Sequence, residues 1–233
     1  MNEYILSIVI PTYGREKSFY RLLTHLMTLL DNPIEIIVCC SSKEYLPKID
    51  NNIIKIFDTS GLSREENYIH GIRNSSGKYV LIAEDDDMIS TKIVEKFLRT
   101  YYFYSKYDLY IYNGCTFDLQ NKIITKACTG LHFTKNIRSK FSSLFGDRFQ
   151  WGQCITERNL LLNTACYFWH DNKNIVQSDE IITMMICNQI DCFYLDTEIL
   201  LYIGIGTDNF SWNNSLELEQ RELYEKLLEI YVK

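Results

Sequence analysis

Four short apolar runs lie within the first 90 residues, and each is followed by polar residues: 4–10, 34–40, 53–57 and 79–83. Runs of this length, rich in Ile, Val and Leu, are typical of strands buried on both faces of a parallel sheet. Apolar residues at helical spacing follow the first run, and Ser63 with Glu66 forms a capping-box pattern before a helix over 64–74. This alternation predicts an α/β fold with a mostly parallel sheet and helices on both faces.

The sequence of the second half predicts an order of strands and helices that differs from the regular alternation of the first half. A helix is expected over 89–104, and a hairpin of 109–117 with 122–129 would add a small antiparallel element. The remaining patterns are an apolar run at 159–166, a helix over 181–189 capped by Ser178, strands at 193–195 and 199–203, and a helix from residue 215. No repeat, low-complexity segment or linker separates these elements, so we expect one domain.

The acidic run Glu84-Asp85-Asp86-Asp87 follows the fourth predicted strand directly. Four carboxylates within about 10 Å, at about 3.3 Å per extended residue, repel one another unless a counter-charge is present. Mg²⁺ and Mn²⁺ are suitable counter-charges because they prefer oxygen ligands. A helix cap formed by Asp87 or Ser90 is the structural alternative. The position after a strand favours the metal site, because ligands of such sheets bind at the carboxyl ends of strands.

Polar residues also follow the neighbouring strands. Pro11-Thr12-Tyr13-Gly14-Arg15 follows the first strand, and Asp58 follows the third. Because the carboxyl ends of parallel strands meet at one edge, we expect a single binding crevice there. The chain contains neither G-x-G-x-x-G after the first strand nor G-x-x-x-x-G-K-S/T, so the usual dinucleotide and P-loop motifs are absent from the sequence.

Composition narrows the class of partner. The formal net charge is −6 without a basic cluster, which disfavours nucleic-acid binding. Eight cysteines occur without a C-x-x-C pair, which disfavours zinc and favours free thiols in a reducing compartment. No signal-peptide pattern and no apolar run of about 18–20 residues is found. We therefore expect a cytoplasmic protein without a transmembrane segment, with peripheral association at the inner face of the membrane as a second option.

Two stretches carry a resemblance to a known family. Residues 7–15, Ser-Ile-Val-Ile-Pro-Thr-Tyr-Gly-Arg, resemble the opening strand of GT-A fold glycosyltransferases, especially glycosyltransferase family 2. Residues 71–80, Gly-Ile-Arg-Asn-Ser-Ser-Gly-Lys-Tyr-Val, are similar to that family's approach to its metal motif, and residues 84–87 stand in the place of its D-x-D. The resemblance implies a single GT-A type (Rossmann-like) domain. Its parts would be a nucleotide-sugar-binding half at 1–88, an acceptor-binding half at 89–214 and a C-terminal helix at 215–233.

The same resemblance implies an inverting glycosyltransferase. Such an enzyme moves a sugar from a nucleotide-diphosphate donor to a glycan, lipid-linked or other hydroxyl acceptor, with Mn²⁺ or Mg²⁺, in surface polysaccharide or glycoconjugate synthesis. Asp86 is the first candidate metal ligand, with Glu84 and Asp87 beside it. Asp85 is expected to face the ribose or a basic partner such as Arg64, because side chains alternate in extended backbone. The implied donor-binding residues are Pro11, Thr12, Tyr13, Arg15, Asp58, Arg64 and Asp85.

A catalytic base is implied at the start of the helix near residue 180. Family members use a carboxylate there to accept the proton of the attacking hydroxyl. Asp179 fits this role and Glu180 is the second choice, although acidic residues favour a helix N-terminus without any catalysis. Trp151 is a candidate for stacking on the acceptor sugar or for core packing. The acidic terminal helix is expected to pack on the domain or to pair with a second copy in a homodimer.

Two departures from the family pattern leave other functions open. Cys39-Cys40-Ser41-Ser42 stands where the family has Asp-Asp-Gly-Ser, so an acidic contact to the base or ribose is missing and Asp58 is its candidate replacement. The family's Ala-Arg-Asn falls near residues 67–69, and Arg64, on the same helix face, is the candidate replacement for its arginine. A non-catalytic nucleotide-sugar-binding module is therefore one alternative. A sugar nucleotidyltransferase is another, although its Gly-rich, basic first loop is absent.

Overall fold

A computed structural model describes residues 4–104, 107–118, 124–126, 150–175 and 178–205, with residues 223, 226, 227, 230 and 231 near the end. The strands are β1 Leu6–Thr12, β2 Ile34–Cys40, β3 Ile54–Asp58, β4 Tyr79–Ile82, β5 Met88–Ile89, β6 Leu109–Asp118, β7 Ile124–Lys126, β8 Cys154–Glu157 and β9 Tyr194–Ile205. The α-helices are α1 Glu16–Leu26, α2 Arg64–Asn74, α3 Thr91–Tyr104, α4 Arg158–Asp171 and α5 Ser178–Gln189. Short 3₁₀ turns lie at Met27–Leu29, Lys43–Tyr45 and Trp151–Gln153.

The described strands form one sheet. Their order is β3-β2-β1-β4-β8-β6-β9-β5, and β7 pairs with β6 beside this path. β1 to β4 are parallel to one another, whereas β8 runs antiparallel between β4 and β6. β7 pairs antiparallel with β6, as the hairpin prediction required. The predicted α/β class, with a parallel sheet and a smaller antiparallel element in the second half, is confirmed.

Alternate residues of the central strands face two separate cores. On β1, Leu6, Ile8 and Ile10 belong to one core, which also holds apolar residues of α1 and α3. Val9 belongs to the other core, which is completed by residues of α2, α4 and α5. Burying such a side chain contributes about 1.5–3 kcal/mol, so the two-sided apolar pattern both forms the strand and holds helices on each face.

Pro11 does not end β1, contrary to the sequence prediction. Along β1, Val9 O accepts from Ala83 N on the β4 side, whereas Thr12 O accepts from Ser41 N on the β2 side. Because hydrogen-bonding directions alternate along a strand, the nitrogen of Pro11 faces the β4 side. β4 ends at Ile82, so no ladder bond is lost there and the strand continues to Thr12.

Two other boundaries differ from the sequence prediction. Ile89, expected at the start of a helix, pairs with Leu201 and forms β5 together with Met88, which pairs with Tyr202. The two strands expected at 193–195 and 199–203 are one long strand, β9, which follows β6 with register shifts near Asn113. Both differences arise from pairing between distant segments, which local periodicity does not report.

The helix expected from residue 215 lies mainly outside the described residues. The described positions 223, 226, 227, 230 and 231 are helical. Leu227 is buried, and the ring of Tyr231 lies 5.3 Å from that of Phe168 on α4. These residues therefore pack on the domain, one of the two predicted options. Among the described residues, no helix combines the length and apolar character that crossing a bilayer requires.

The two glycines of the 71–80 motif are packing positions. A Cβ on Gly71 would overlap Val9 Cγ1, and a Cβ on Gly77 would lie 2.6 Å from the backbone nitrogen of Ser7. Gly71 thus lets α2 lie directly on β1 and β2, and Gly77 lets the turn before β4 pass close to the start of β1. The motif therefore places α2 and β4, the two elements that hold the acidic run in position.

Glu35 ties together the amino ends of the strands. The residue is fully buried, and its Oε1 accepts from Ser7 Oγ at 2.7 Å, from Gly77 N at 3.2 Å and from Ser76 N. Lys55 Nζ lies 2.6 Å from Oε2. Burial alone would raise the pKa of Glu35, but the bonds from Lys55, Ser7 and Ser76 bring that pKa below its ordinary value. The charged carboxylate is therefore the form that the fold stabilises.

We expect Glu35→Ala to lower the free energy of unfolding by about 2–4 kcal/mol at pH 7, because buried donors lose their acceptor. The folded-state pKa of Glu35 is depressed, so its stabilisation is complete above the unfolded pKa of about 4.3 and is lost as the pH falls through the folded value. Urea unfolding at several pH values measures both effects. Exposed Glu44→Ala is the control, and equal unfolding free energies for the two variants at pH 7 would contradict the assignment.

Candidate active site

The carboxyl ends of β1, β2 and β3 lie side by side. Thr12 is in register with Cys40, and Cys40 is in register with Asp58. The acidic run begins two residues after β4, which is the other neighbour of β1. Burial raises the pKa of the Cys40 thiol, and the nearby charges of Asp58 and Asp85 raise it further. The polar strand ends predicted to form one crevice are therefore at one edge of the sheet.

The turn after β1 carries Arg15 to the acidic run. Gly14 has a φ of +93°, and a Cβ there would lie 2.5 Å from the ring of Tyr45, so only glycine fits this turn. Arg15 Nη2 lies 2.6 Å from Asp85 Oδ1, and Arg15 Nη1 lies 2.5 Å from Asp86 Oδ2. Burial alone would lower the pKa of Arg15, but these two carboxylates raise it. One guanidinium thus partly neutralises two of the four acidic residues.

Asp85 is directed into the protein and pairs with neighbours on the first strand. It has no exposed surface, and its Oδ2 accepts a hydrogen bond from Thr12 Oγ1 at 2.6 Å. The expectation of a basic partner is met by Arg15 and not by Arg64, which corrects the sequence prediction. The physical reason is position: Arg64 donates through Nη2 to the backbone oxygen of Ile175, 2.8 Å away.

The other three acidic residues form a cluster. One carboxylate oxygen from each of Glu84, Asp86 and Asp87 lies within 4.8 Å of the others. A turn closed by Asp87 N and Glu84 O, at 3.1 Å, brings these side chains together. Burial raises the pKa of Asp86 to about 6; Arg15 opposes this rise, and Glu84 and Asp85 add to it. Three close carboxylate oxygens fit a hard divalent cation such as Mg²⁺ or Mn²⁺, which prefer oxygen ligands.

Glu84 is held from the opposite side by α2. The Tyr68 hydroxyl donates a hydrogen bond to Glu84 Oε1 at 2.6 Å. Burial is the largest cause of the raised pKa of this phenol, and the charge of Glu84 is the next. The Tyr68 ring packs against Trp151 at 5.3 Å and Trp169 at 5.9 Å. Trp151 is only 6% exposed, so the structure supports its core-packing alternative over a sugar-stacking face.

Asp179 lies in the first turn of α5, close enough to the acidic run to interact electrostatically with Glu84. Its side chain is partly exposed, whereas Glu180 is only 3% exposed. Burial is the first cause of a pKa raised to about 7 at Asp179, and the charges of Glu84 and Glu180 add to it. Arg64 acts in the opposite direction. A carboxylate with a pKa near neutrality is suited to accept a proton at physiological pH.

The remaining predicted residues lie around this centre. Tyr13 is 77% exposed, and Pro11 is half-buried beside it. Asp58 is exposed, and its pKa is lowered first by a hydrogen bond from the Ser60 side chain and then by the bond from Ser60 N at 3.0 Å. Arg64 is exposed at the N-terminus of α2. Tyr13 and Asp58 therefore present aromatic and polar surface near the strand ends, whereas Arg64 already donates to the backbone oxygen of Ile175.

Sequence reasoning did not assign a role to two residues that support the acidic run. Tyr68 had a usable signal, because it falls where the family pattern has an arginine. Arg21 on α1 had none: its Nη2 donates to the backbone oxygen of Asp86 at 3.2 Å, a contact between residues 65 positions apart. Both contacts require the helices to be placed on the sheet before they become visible.

The family described as Glycosyl transferase family 2 matches residues 7–155. Among solved structures, S. aureus TarS 1-349 in complex with UDP-GlcNAc gives a TM-score of 0.66 at 15% identity, over 95% of this chain and 65% of that chain. The UDP complex of TarS 1-349 gives 0.65 at 14% identity, over 97% and 64%. This chain thus spans slightly less than two thirds of the TarS chains, and the likeness concerns the fold. No curated protein matches significantly.

Proposed function

The chain belongs to glycosyl transferase family 2, and on this premise we propose that it transfers a sugar with inversion from a nucleoside diphosphate sugar to an acceptor hydroxyl. The observation that carries the proposal is the convergence of three carboxylates beside the strand ends, with Asp179 nearby. We propose residues 1–88 as the donor half and 89–214 as the acceptor half. Surface polysaccharide or glycoconjugate synthesis in the cytoplasm, at or near the inner membrane face, is the proposed setting.

Glu84, Asp86 and Asp87 would hold the divalent cation. Their donor set fits Mg²⁺ or Mn²⁺, because all three offer carboxylate oxygens within 4.8 Å of one another. A bound cation would neutralise the charge that develops on the leaving diphosphate. The chain's own contribution is to hold the carboxylates in place through the pairing of Arg15 with Asp86 and through the bond from Tyr68 to Glu84. Asp85 serves this framework by fixing Arg15.

Asp179 is the proposed general base. It accepts the proton of the acceptor hydroxyl while that oxygen bonds to the anomeric carbon, and the bond from this carbon to the diphosphate oxygen breaks. Partial exposure lets Asp179 reach an acceptor, whereas Glu180 is buried. Its pKa of about 7 makes proton acceptance favourable without leaving the residue fully protonated at neutral pH.

The nucleoside would bind across the ends of β1 and β3. Tyr13 offers an exposed aromatic face, and Asp58 offers an exposed carboxylate that can accept hydrogen bonds from a ribose or a base. Asp58 lies in register with Cys40, where the family pattern has its acidic pair, so it is placed one strand further along the edge. Pro11 and Thr12 shape the floor between these residues, and Arg64 is the remaining candidate for the diphosphate.

We expect one nucleoside diphosphate to stabilise the protein in the presence of Mn²⁺. A thermal-shift screen of UDP, GDP, CDP and dTDP, with and without Mn²⁺, should give one ligand that raises Tm, because a ligand that binds only the folded state stabilises it. UDP is the first candidate, since TarS 1-349 is known in complex with UDP and UDP-GlcNAc. At 100 times Kd the stabilisation is about 2.7 kcal/mol.

The screen also separates the proposed function from its alternatives. Stabilisation without any turnover of the matching nucleotide sugar would favour the non-catalytic binding module. The four matching nucleoside triphosphates are added to the screen for the second alternative, and stabilisation by a triphosphate alone would favour a sugar nucleotidyltransferase. No stabilisation by any of the four diphosphates with Mn²⁺ would contradict donor binding by this chain.

A further inference from the structure

The loop before α5 is fastened to the N-terminus of α2 by two contacts. Asn174 N donates to Glu65 Oε1 at 3.1 Å, and Ile175 O accepts from Arg64 Nη2 at 2.8 Å. Two consecutive residues of α2, Arg64 and Glu65, therefore hydrogen-bond to two consecutive residues of the loop, although the two segments are about 110 positions apart in the sequence. Ile175 is also buried in the core formed by α2, α4 and α5. The loop is thus held by backbone contacts and by packing.

Glu65 is an unusual residue for this position. It is 2% exposed, and its Oε2 is buried with no hydrogen-bond partner among the described residues. Burying a carboxylate that lacks some of its hydrogen-bond partners costs free energy, unless the contacts that it does make are strong enough to compensate. The nearest cation is Arg64, whose Nε lies 3.7 Å from Glu65 Oε1. Helix N-termini favour acidic residues, but exposed Glu66 already provides the capping box with Ser63.

Asn174 adopts a backbone conformation that requires such support. Its φ is +58°, the left-handed region that residues other than glycine rarely occupy, although asparagine tolerates it best. In this conformation the Asn174 N–H is directed to Glu65. Asp179 follows five residues later, in the first turn of that helix.

We infer that Glu65 and Arg64 are positioning residues for Asp179, acting as a clamp on residues 174–175 that sets the approach of α5 to the acidic run. This inference rests on the proposed role of Asp179 as base. The clamp connects α2, in the donor half, to the loop before α5, the helix that bears the base. It therefore helps to set the distance between Asp179 and the acidic run, which neither helix determines alone. Misplacing a catalytic group by about 1 Å can cost about 100-fold in rate.

The test uses Glu65→Ala in the full chain, with Glu66→Ala as the matched control on the same helix. UDP-GlcNAc hydrolysis with Mn²⁺ gives the rate, since water can replace the acceptor: the water oxygen bonds to the anomeric carbon, the bond to UDP breaks, and Asp179 takes the proton. We expect Glu65→Ala to lower kcat about 10- to 100-fold with KM unchanged. Glu66→Ala should retain kcat within about twofold.

A double-mutant cycle identifies the route of the effect. If Glu65 acts through Asp179, then adding Glu65→Ala to Asp179→Asn should lower the residual rate by no more than about twofold. An additional loss equal to that in the wild-type background would overturn the inference. Asn174→Gly, which keeps the N–H and the positive φ, should retain the wild-type rate, and a loss equal to that of Glu65→Ala would also contradict the clamp.

Hydrogen exchange supplies a measurement that needs no donor. Amides of residues 182–186, which are hydrogen-bonded within α5, should exchange at least about tenfold faster in Glu65→Ala than in Glu66→Ala, because local opening at the start of this helix is no longer opposed by the clamp. Equal exchange rates would overturn the inference even if activity changes. Conversely, an Asp179→Asn variant with wild-type hydrolysis would remove the base assignment, and with it the positioning role, while leaving the exchange result as a separate finding.

Discussion

Asp179→Asn is expected to lower the rate of sugar transfer by about 100- to 10,000-fold, the range for loss of a general base. The substitution keeps the size of the side chain but removes its capacity to accept a proton. Donor binding should persist, because the carboxylates of the acidic cluster are unchanged. The measurements are turnover of the nucleotide sugar and the Kd of the nucleoside diphosphate in the presence of Mn²⁺.

Two control variants make this result specific. Glu180→Gln tests the second candidate, and we expect a smaller loss of turnover, because Glu180 is 3% exposed and does not reach an acceptor. Asp171→Asn, an exposed aspartate at the end of α4, should have wild-type turnover. If Asp179→Asn abolished donor binding as well as turnover, Asp179 would be a structural residue. If Glu180→Gln gave the larger loss, the two roles would be exchanged.

Asp86→Asn is expected to remove the dependence of donor binding on Mn²⁺ and to lower kcat/KM by at least about 100-fold. Charge stabilisation by a bound cation is worth several kcal/mol, and 1.36 kcal/mol corresponds to a factor of ten in rate. Asp86 is the most favourable position for this test, because it belongs to the three-carboxylate cluster and also pairs with Arg15. Titration of Mn²⁺ by calorimetry, with and without UDP, measures the binding directly.

Glu16→Gln is the matched control for this variant. Glu16 is an exposed carboxylate directly after Arg15, so the substitution changes the local charge equally without removing a member of the cluster. We expect its Mn²⁺ affinity to stay within about twofold of wild type. An Asp86→Asn protein that keeps wild-type Mn²⁺ affinity and Mn²⁺-dependent stabilisation by UDP would exclude Asp86 as a ligand.

Much of the site's location could be predicted from sequence, because it depends on local patterns. The runs that form β1, β2 and β4 are buried on both faces, and the half-buried run of β3 has the same apolar composition. Strands and their carboxyl ends are therefore readable, and Thr12 and Asp58 were expected at one edge. The separation of Asp85 from Asp86 followed from the alternation of side chains in extended backbone. The partner of Asp85 did not follow, because Arg15 lies 70 positions earlier and reaches it only through the turn at Gly14.

Errors in the sequence prediction share one physical origin. Pro11 was expected to end β1, yet its nitrogen faces the side on which β4 has already stopped. Ile89 was expected in a helix, yet it forms a strand with Met88, because both residues pair with β9. Local propensity is a weak prior wherever hydrogen-bond partners come from distant segments, and such partners decide these cases.

The sequence by itself determined the order of strands and helices from β1 to β4, the edge at which the polar residues meet and the acidic character of that edge. These features depend on side-chain periodicity and on turn residues within about ten positions, which act locally. Only the tertiary structure decided the surroundings of each carboxylate. Asp85 is buried and pairs with Arg15, and Glu84 accepts a hydrogen bond from Tyr68. Burial and the charge of Glu84 raise the pKa of Asp179. Burial and charge act through space, so these states exist only once α2 and α5 are packed on the sheet.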